Sequence, residues 1–191
     1  MSFLESINKN KLRLITGLII GFTVLGAVFA GGFLLMLVVM YIVYAGSKEY
    51  VAILRNKGFR PFLRLIIAVD IAFVILTTLQ RFDLVPMVLT FGTIGAFMAV
   101  LFKGPQPYIA NVATTVLGFI YGGFLPCFLI LLRQLEMNSL GLITIKLNPG
   151  LGFIFLLFFT ILFTDVGAYF FGSKFGKTPL AQVISPKKTV E

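Results

Sequence analysis

Histidine is absent from the 191-residue sequence, which excludes imidazole catalysis and histidine-ligated metals. A single cysteine, Cys127, excludes an internal disulfide. It stands beside Pro126 in an apolar stretch and reads as an inert small residue. Charge is also scarce: charged residues make up 12% of the chain, against about 25% in an ordinary soluble domain. There is no repeat of fixed period and no low-complexity segment.

What the chain has in excess is hydrocarbon. Hydrophobic residues reach 59%, against about 45–50% in soluble domains. The sequence therefore predicts an all-α, polytopic transmembrane helix bundle in a single membrane domain. A span needs about 20 apolar residues, and six fit, over about 14–30, 33–54, 63–79, 84–102, 112–132 and 151–172, with a polar tail at 173–191. Val28-Phe29-Ala30 has the small-residue pattern of a signal-peptidase site. The uncharged run Leu14–Ala30 is 17 residues long, beyond the usual h-region of about 7–15, so it is expected to stay as the first span.

Small and breaking residues punctuate these runs. Gly17 and Gly21 form a GxxxG pair suited to close helix packing, inside the chain or across a homodimer. Gly58, after Arg55 and Lys57, is expected to cap the helix emerging from the second span. Asn111 is expected to cap the fifth span. Gly118 and Gly122 form a second small-residue pair, and Pro126 is expected to kink the helix. Asp70, in the middle of the third span, is either a proton or ion path or a structural acid bonded to a neighbouring helix. The segment from Arg133 to Asn148 is the longest polar interruption before the tail.

Six spans split the sixteen Lys and Arg residues 13 to 3. Lys9, Lys11, Arg13, Lys48, Arg55, Lys57, Arg60, Arg64, Lys103, Lys174, Lys177, Lys187 and Lys188 fall on one side. Arg81, Arg133 and Lys146 fall on the other. The positive-inside rule then places both termini in the cytoplasm of an inner or plasma membrane protein. Spread between apolar runs, the net charge of +9 points to anionic lipid head groups and not to nucleic acid.

The tail carries the chemistry. Asp165, Ala168, Tyr169 and Gly172 share a helix face by i+3, i+4 and i+7 spacing. That stripe suits a cavity opening to the cytoplasm; alternatively Asp165 is an interface acid paired with a lysine such as Lys174. Gly172-Ser-Lys-Phe-Gly-Lys-Thr178 suggests a P-loop but separates its glycines by three residues where the motif has four. Ser185, Lys187, Lys188 and Thr189 put two ammonium groups and two hydroxyls within five residues. Such a set can clamp a polyphosphate, or it can be a solvated segment that touches anionic lipid.

Two tail segments resemble the phosphatidate cytidylyltransferases, the CDP-diacylglycerol synthases. Asp165-Val-Gly-Ala-Tyr-Phe-Phe-Gly-Ser-Lys-Phe-Gly-Lys177 is similar to that family's D-T-G-A-Y-x-x-G-x-x-F-G-K, with Val166 for threonine. Ser185-Pro-Lys-Lys-Thr-Val-Glu191 is similar to S-P-x-K-T-x-E-G. Arg13-Leu-Ile-Thr-Gly17, Glu49-Tyr50 before Lys57-Gly58, and Tyr121-Gly-Gly-Phe-Leu-Pro126 resemble the cyanobacterial and plastid branch. The resemblance implies a membrane nucleotidyltransferase that converts CTP and phosphatidic acid to CDP-diacylglycerol and pyrophosphate. It implies substrate-binding roles for Asp165, Ser185, Lys187, Lys188 and Thr189. It also implies magnesium, with ligands expected beyond Glu191.

The family's later signature, with K-D, H-G-G and D-R-x-D acids, has no counterpart here. The chain is therefore expected to match the N-terminal two-thirds of the family, to leave the catalytic residues unassigned, and to be inactive alone. The competing expectation is a non-enzymatic membrane protein, a transporter subunit or lipid-binding scaffold, with Asp70 as its functional residue. A CDP-alcohol phosphotransferase is excluded, because its aspartates cluster on adjacent turns and here only Asp70, Asp83 and Asp165 exist.

Overall fold

The computed structural model describes residues 3–135, 149–181 and 185–190. Lys146 and Asn148 of the polar interruption, and Glu191, lie outside them. The chain divides into two compact units, Met1–Leu135 and Glu136–Glu191.

The first unit is helical throughout. Its helices are α1 (Phe3–Ala30), α2 (Gly32–Asn56), α3 (Leu63–Thr78), α4 (Val85–Lys103), α5 (Tyr108–Gly118) and α6 (Leu125–Gln134). A 3₁₀ turn, Phe82–Leu84, precedes α4, and a π-helical stretch, Phe119–Phe124, joins α5 to α6. The second unit holds α7 (Pro149–Phe175) and a hairpin of β1 (Pro179–Ala181) and β2 (Ser185–Thr189).

Four helical segments are long and apolar enough to cross a membrane: Gly32–Asn56, Phe82–Phe102, Tyr108–Gln134 and Pro149–Phe175. They overlay four of the six expected spans. The expected spans at 14–30 and 63–79 are helices too, but shorter in their apolar parts. Ile15–Ala30 is a short apolar helix, and α3 has 16 residues. At 1.5 Å per residue such a helix is about 24 Å long, less than the roughly 30 Å hydrocarbon core.

Helix α2 ends as its sequence suggests. Gly58 has φ 88°, a conformation that costs an L side chain about 1 kcal/mol or more. Its N–H bonds the Arg55 carbonyl, and the N–H of Phe59 reaches back to Leu54, both at 3.1 Å. This is a Schellman closure. Asn111 differs from expectation. Pro107 takes the N-cap position of α5, and Asn111 lies buried one turn inside. There it accepts the Arg60 N–H at 2.7 Å and donates to the Pro105 carbonyl at 2.8 Å. Proline cannot donate, so the side chain of Asn111 is free to tie the 57–62 and 104–107 loops together.

The core lies where α3 meets α2 and the π-helical stretch. Phe73, Val74, Ile66 and Phe119 are fully buried there. A β-carbon on Gly118 would stand 2.8 Å from Ile66, and one on Gly122 would stand 3.0 Å from both Asp70 and Ser47. The second small-residue pair is thus a true packing seam. The first shows no such seam: a β-carbon on Gly17 or Gly21 would meet nothing within 4 Å among the described residues. The irregularity assigned to Pro126 begins upstream of it. Lacking an N–H, Pro126 cannot bond the Gly122 carbonyl, and the six residues before α6 wind as π-helix.

Asp70 is fully buried, and its Oδ2 accepts the Ser47 hydroxyl at 2.7 Å. At the far end of the unit, α6 supplies side chains that finish two other helices. Arg133 donates to the Val28 and Phe29 carbonyls at 2.8 and 3.3 Å. Gln134 donates to the Thr78 carbonyl at 3.2 Å.

Candidate functional site

The second unit holds the tail stripe. Helix α7 stays regular through Asp165, Ala168, Tyr169 and Gly172, so the four residues lie along one face. The chain then turns at Gly176, whose N–H bonds the Gly172 carbonyl at 3.0 Å. The tail segment expected to be a loop folds back instead as a short antiparallel hairpin at the end of an otherwise helical chain. Its prolines sit where a sheet tolerates them: Pro179 opens β1, and Pro186 lies on a two-stranded ribbon with no central strand.

The register shows how two neighbouring residues of β2 reach one side. Pro179 pairs with Thr189 and Ala181 with Ser185, so β1 advances two residues while β2 advances four. Adjacent strand residues ordinarily point to opposite faces, and a bulge of this kind re-aims them. Lys188 and Thr189 accordingly both line a cleft of about 480 Å³ with Asp165, Tyr169, Gly172 and Ser173. That volume falls in the usual ligand range of about 300–1,000 Å³.

Gly176 allows the hairpin to approach the helix. A β-carbon there would lie 2.5 Å from the Thr189 hydroxyl oxygen, and one on Gly172 would lie 3.2 Å from it. The Thr189 oxygen is buried and has no hydrogen-bond partner among the described residues. A shielded hydroxyl in that state has its bonding capacity open to a ligand.

Of the five residues expected to bind substrate, the structure brings Asp165, Lys188 and Thr189 to one cleft. Ser185 is half-buried at the other end of β2, opposite Ala181. Lys187 belongs to β2, and its side chain lies outside the described residues. Lys174 does not pair with Asp165; its ammonium lies 5.6 and 5.7 Å from the Phe170 and Phe175 ring centres. Asp165 and Lys174 are nine positions apart, which points them to different faces of α7. Sequence reasoning missed Ser173 and Leu180 as lining residues, since only the hairpin brings Leu180 over the helix end.

A magnesium ion bound by protein takes one or two carboxylates together with substrate phosphates and waters. Among the described residues no three His, Cys, Asp or Glu side chains lie together, and Asp165 shares its cleft with a lysine. These residues do not make a magnesium site by themselves.

A helical protein with four segments long and apolar enough to cross a membrane, the last of them bearing the cleft of Asp165 and Lys188 at its end, is of the helical class with membrane-length segments. Within that class the chain belongs to the cytidylyltransferase family, which it matches over residues 11–191. It is 30% identical to phosphatidate cytidylyltransferase 5, chloroplastic, of Arabidopsis thaliana, over 98% of this chain and 51% of that protein. It is 30% identical to the phosphatidate cytidylyltransferase of Synechocystis sp., over 84% of this chain and 59% of that protein. With the enzyme of the same name from Aquifex aeolicus the identity is 28%, over 92% and 57%. The chain thus spans between half and three-fifths of the length of these relatives. No solved structure matches it.

Proposed function

We propose that this chain forms part of a phosphatidate cytidylyltransferase, which joins CTP and phosphatidic acid into CDP-diacylglycerol with release of pyrophosphate. The observation that carries the reading is the convergence of Asp165, Lys188 and Thr189 on one cleft at the end of an apolar helix. A soluble nucleotide and a lipid head group can meet at such a place.

In the reaction a phosphate oxygen of the lipid attacks the α-phosphorus of CTP. The bond from that phosphorus to the bridging oxygen breaks, and pyrophosphate leaves with its electrons. The demand on the protein is positioning and charge neutralisation. The Lys188 ammonium offsets charge on the triphosphate, and the Thr189 hydroxyl, which has no partner among the described residues, donates to a phosphate oxygen. Asp165 accepts hydrogen bonds from the hydroxyls or amino group of the nucleotide. By their place in the same motif, Ser185 and Lys187 support the phosphate side. Magnesium enters this reading only as the ion that accompanies the triphosphate.

The membrane arrangement belongs to the same proposal. Six spans, with both termini and the cleft on the cytoplasmic side of an inner or plasma membrane, are supported by the 13-to-3 charge division of the sequence. The test is CTP binding by the purified chain in detergent, followed with a fluorescent CTP analogue. Lys188→Gln is expected to weaken binding at least tenfold, and Asp165→Asn several-fold. Purified residues 1–191 are expected to bind CTP without forming labelled CDP-diacylglycerol from labelled CTP and phosphatidic acid. CTP binding that ignores both substitutions would overturn the assignment of this cleft.

A further inference from the structure

The first unit has a cleft of its own, of about 730 Å³, lined by Arg55, Arg60 and Arg64 with Pro61, Phe62 and Pro105. It is assembled by fixed local structure. The Schellman closure at Gly58 ends α2 directly after Arg55. Buried Asn111 holds the Arg60 backbone and the Pro105 carbonyl. The hydroxyl of Thr115, also fully buried, accepts the Phe62 N–H at 3.1 Å. Two buried polar side chains on α5 thus hold the connection that bears Arg60 and joins Arg55, at the end of α2, to Arg64, at the start of α3.

The charge in this cleft is uncompensated. Among the described residues no carboxylate lines it, and their ion pair, Arg81 with Asp83, lies beyond the opposite end of α3. All three guanidinium side chains are exposed. The first turn of α3 holds no acid, and no side chain caps it, so its backbone field adds to theirs. Three like charges brought together without a partner are an unfavourable arrangement unless an anion joins them.

The position tells which anion. Helices α3 and α4 become apolar directly beside the cleft, at Leu65-Ile66 and at Leu101-Phe102. That is the depth of lipid head groups. Guanidinium forks match phosphate oxygens in pairs. A phosphodiester carries one charge and two free oxygens, whereas a phosphomonoester offers three oxygens and up to two charges. Three arginines suit the monoester.

We infer that the Arg55–Arg60–Arg64 cleft binds a phosphomonoester, presented by a membrane lipid. The inference does not rest on the nucleotide reading, because the chemistry that recognises the phosphate is the same whatever reaction follows.

The test uses the whole chain in detergent micelles, with no nucleotide present. Dioctanoyl phosphatidic acid, dioctanoyl phosphatidylglycerol and inorganic phosphate are each titrated by calorimetry. Phosphatidic acid is expected to bind at least tenfold more tightly than phosphatidylglycerol. The triple variant Arg55→Gln, Arg60→Gln, Arg64→Gln is expected to lose at least tenfold, with its melting temperature unchanged. Arg81→Gln, which removes a guanidinium from the other end of the unit, is expected to stay within twofold. Inorganic phosphate binding as tightly as phosphatidic acid, and lost in the triple variant, would uphold the phosphomonoester site and move its source from lipid to solution. Phosphatidic acid binding unchanged in the triple variant, or equal binding of both lipids, would overturn the site.

Discussion

The Asp70 carboxylate lies so close to Gly123 that a β-carbon on the glycine would come within 2.7 Å of the carboxyl carbon. The contact joins the middle of α3 to the π-helical stretch. Asp70 Oδ2 accepts the Ser47 hydroxyl, whereas Oδ1 has no partner among the described residues. The acid is therefore packed between two glycines and one hydroxyl. The snug fit favours its structural reading over the ion path, since a path needs room for water or an ion.

Gly123→Ala is expected to destabilise the first unit by about 2–3 kcal/mol, the size of an overpacking penalty in a tight core. Gly46→Ala is the control, because a β-carbon on Gly46 would meet nothing within 4 Å. Thermal unfolding in detergent reads the difference. Equal melting temperatures for the two variants would show that the helices part easily at Asp70.

The Ser47–Asp70 bond is open to a double-mutant cycle. Ser47→Ala is expected to cost about 1–2 kcal/mol, the loss of one buried bond to an acid. With Asp70→Asn the two changes should couple by a similar amount, about 1–2 kcal/mol. Strict additivity would mean that the bond contributes nothing. If Asp70→Asn instead abolished a measured ion flux while leaving stability intact, the transporter reading would return.

Arg133→Met is expected to loosen the end of α1. It keeps much of the side-chain length and removes both bonds to the Val28 and Phe29 carbonyls. Charge-assisted bonds of this kind are worth about 1.5–3 kcal/mol. Hydrogen exchange should quicken at 28–35, around the Gly31 turn, and stay unchanged near Gly58.

Gly176→Ala is expected to disturb the end of α7 and to push β2 off it, because its methyl would meet the Gly172 carbonyl as well as Thr189. CTP binding should fall at least tenfold, as with Lys188→Gln, although no charge is removed. Thr189→Ser trims the methyl that lies 2.7 Å from the same position, and it should restore part of the binding in the Gly176→Ala background. Failure of any rescue would point to damage in α7 and not at the hairpin.

What the sequence disclosed followed from period and breakers. Helical spacing alone grouped Asp165, Ala168, Tyr169 and Gly172, and these residues share the cleft with Lys188 and Thr189. Gly58 ended α2 because a left-handed cap is a local property. Features that depend on distant partners were not legible. The close approach of Asp70 and Ser47 to Gly122 and Gly123 in the π-helical stretch comes from two other helices. Asn111 has the chemistry of a cap, but Pro107 occupies that position. The hairpin is three residues paired with five, both containing proline, so propensity argues against strands there. The three arginines read as orientation signals, because their sharing of one cleft depends on how the end of α2, the Arg60 connection and the start of α3 are folded together.

Arg133 follows Val28 by 105 positions. At a synthesis rate of about 5–20 residues per second, roughly 5–20 s pass between the appearance of the α1 carbonyls and of the guanidinium that covers them. Gln134 arrives a moment later for the end of α3, 56 positions behind it. The first and third helices are therefore synthesised before these side-chain partners of their last carbonyls exist. The arrival of α6 closes both ends in one step, which makes residues 133 and 134 the clasp that records that the first unit has been assembled in order.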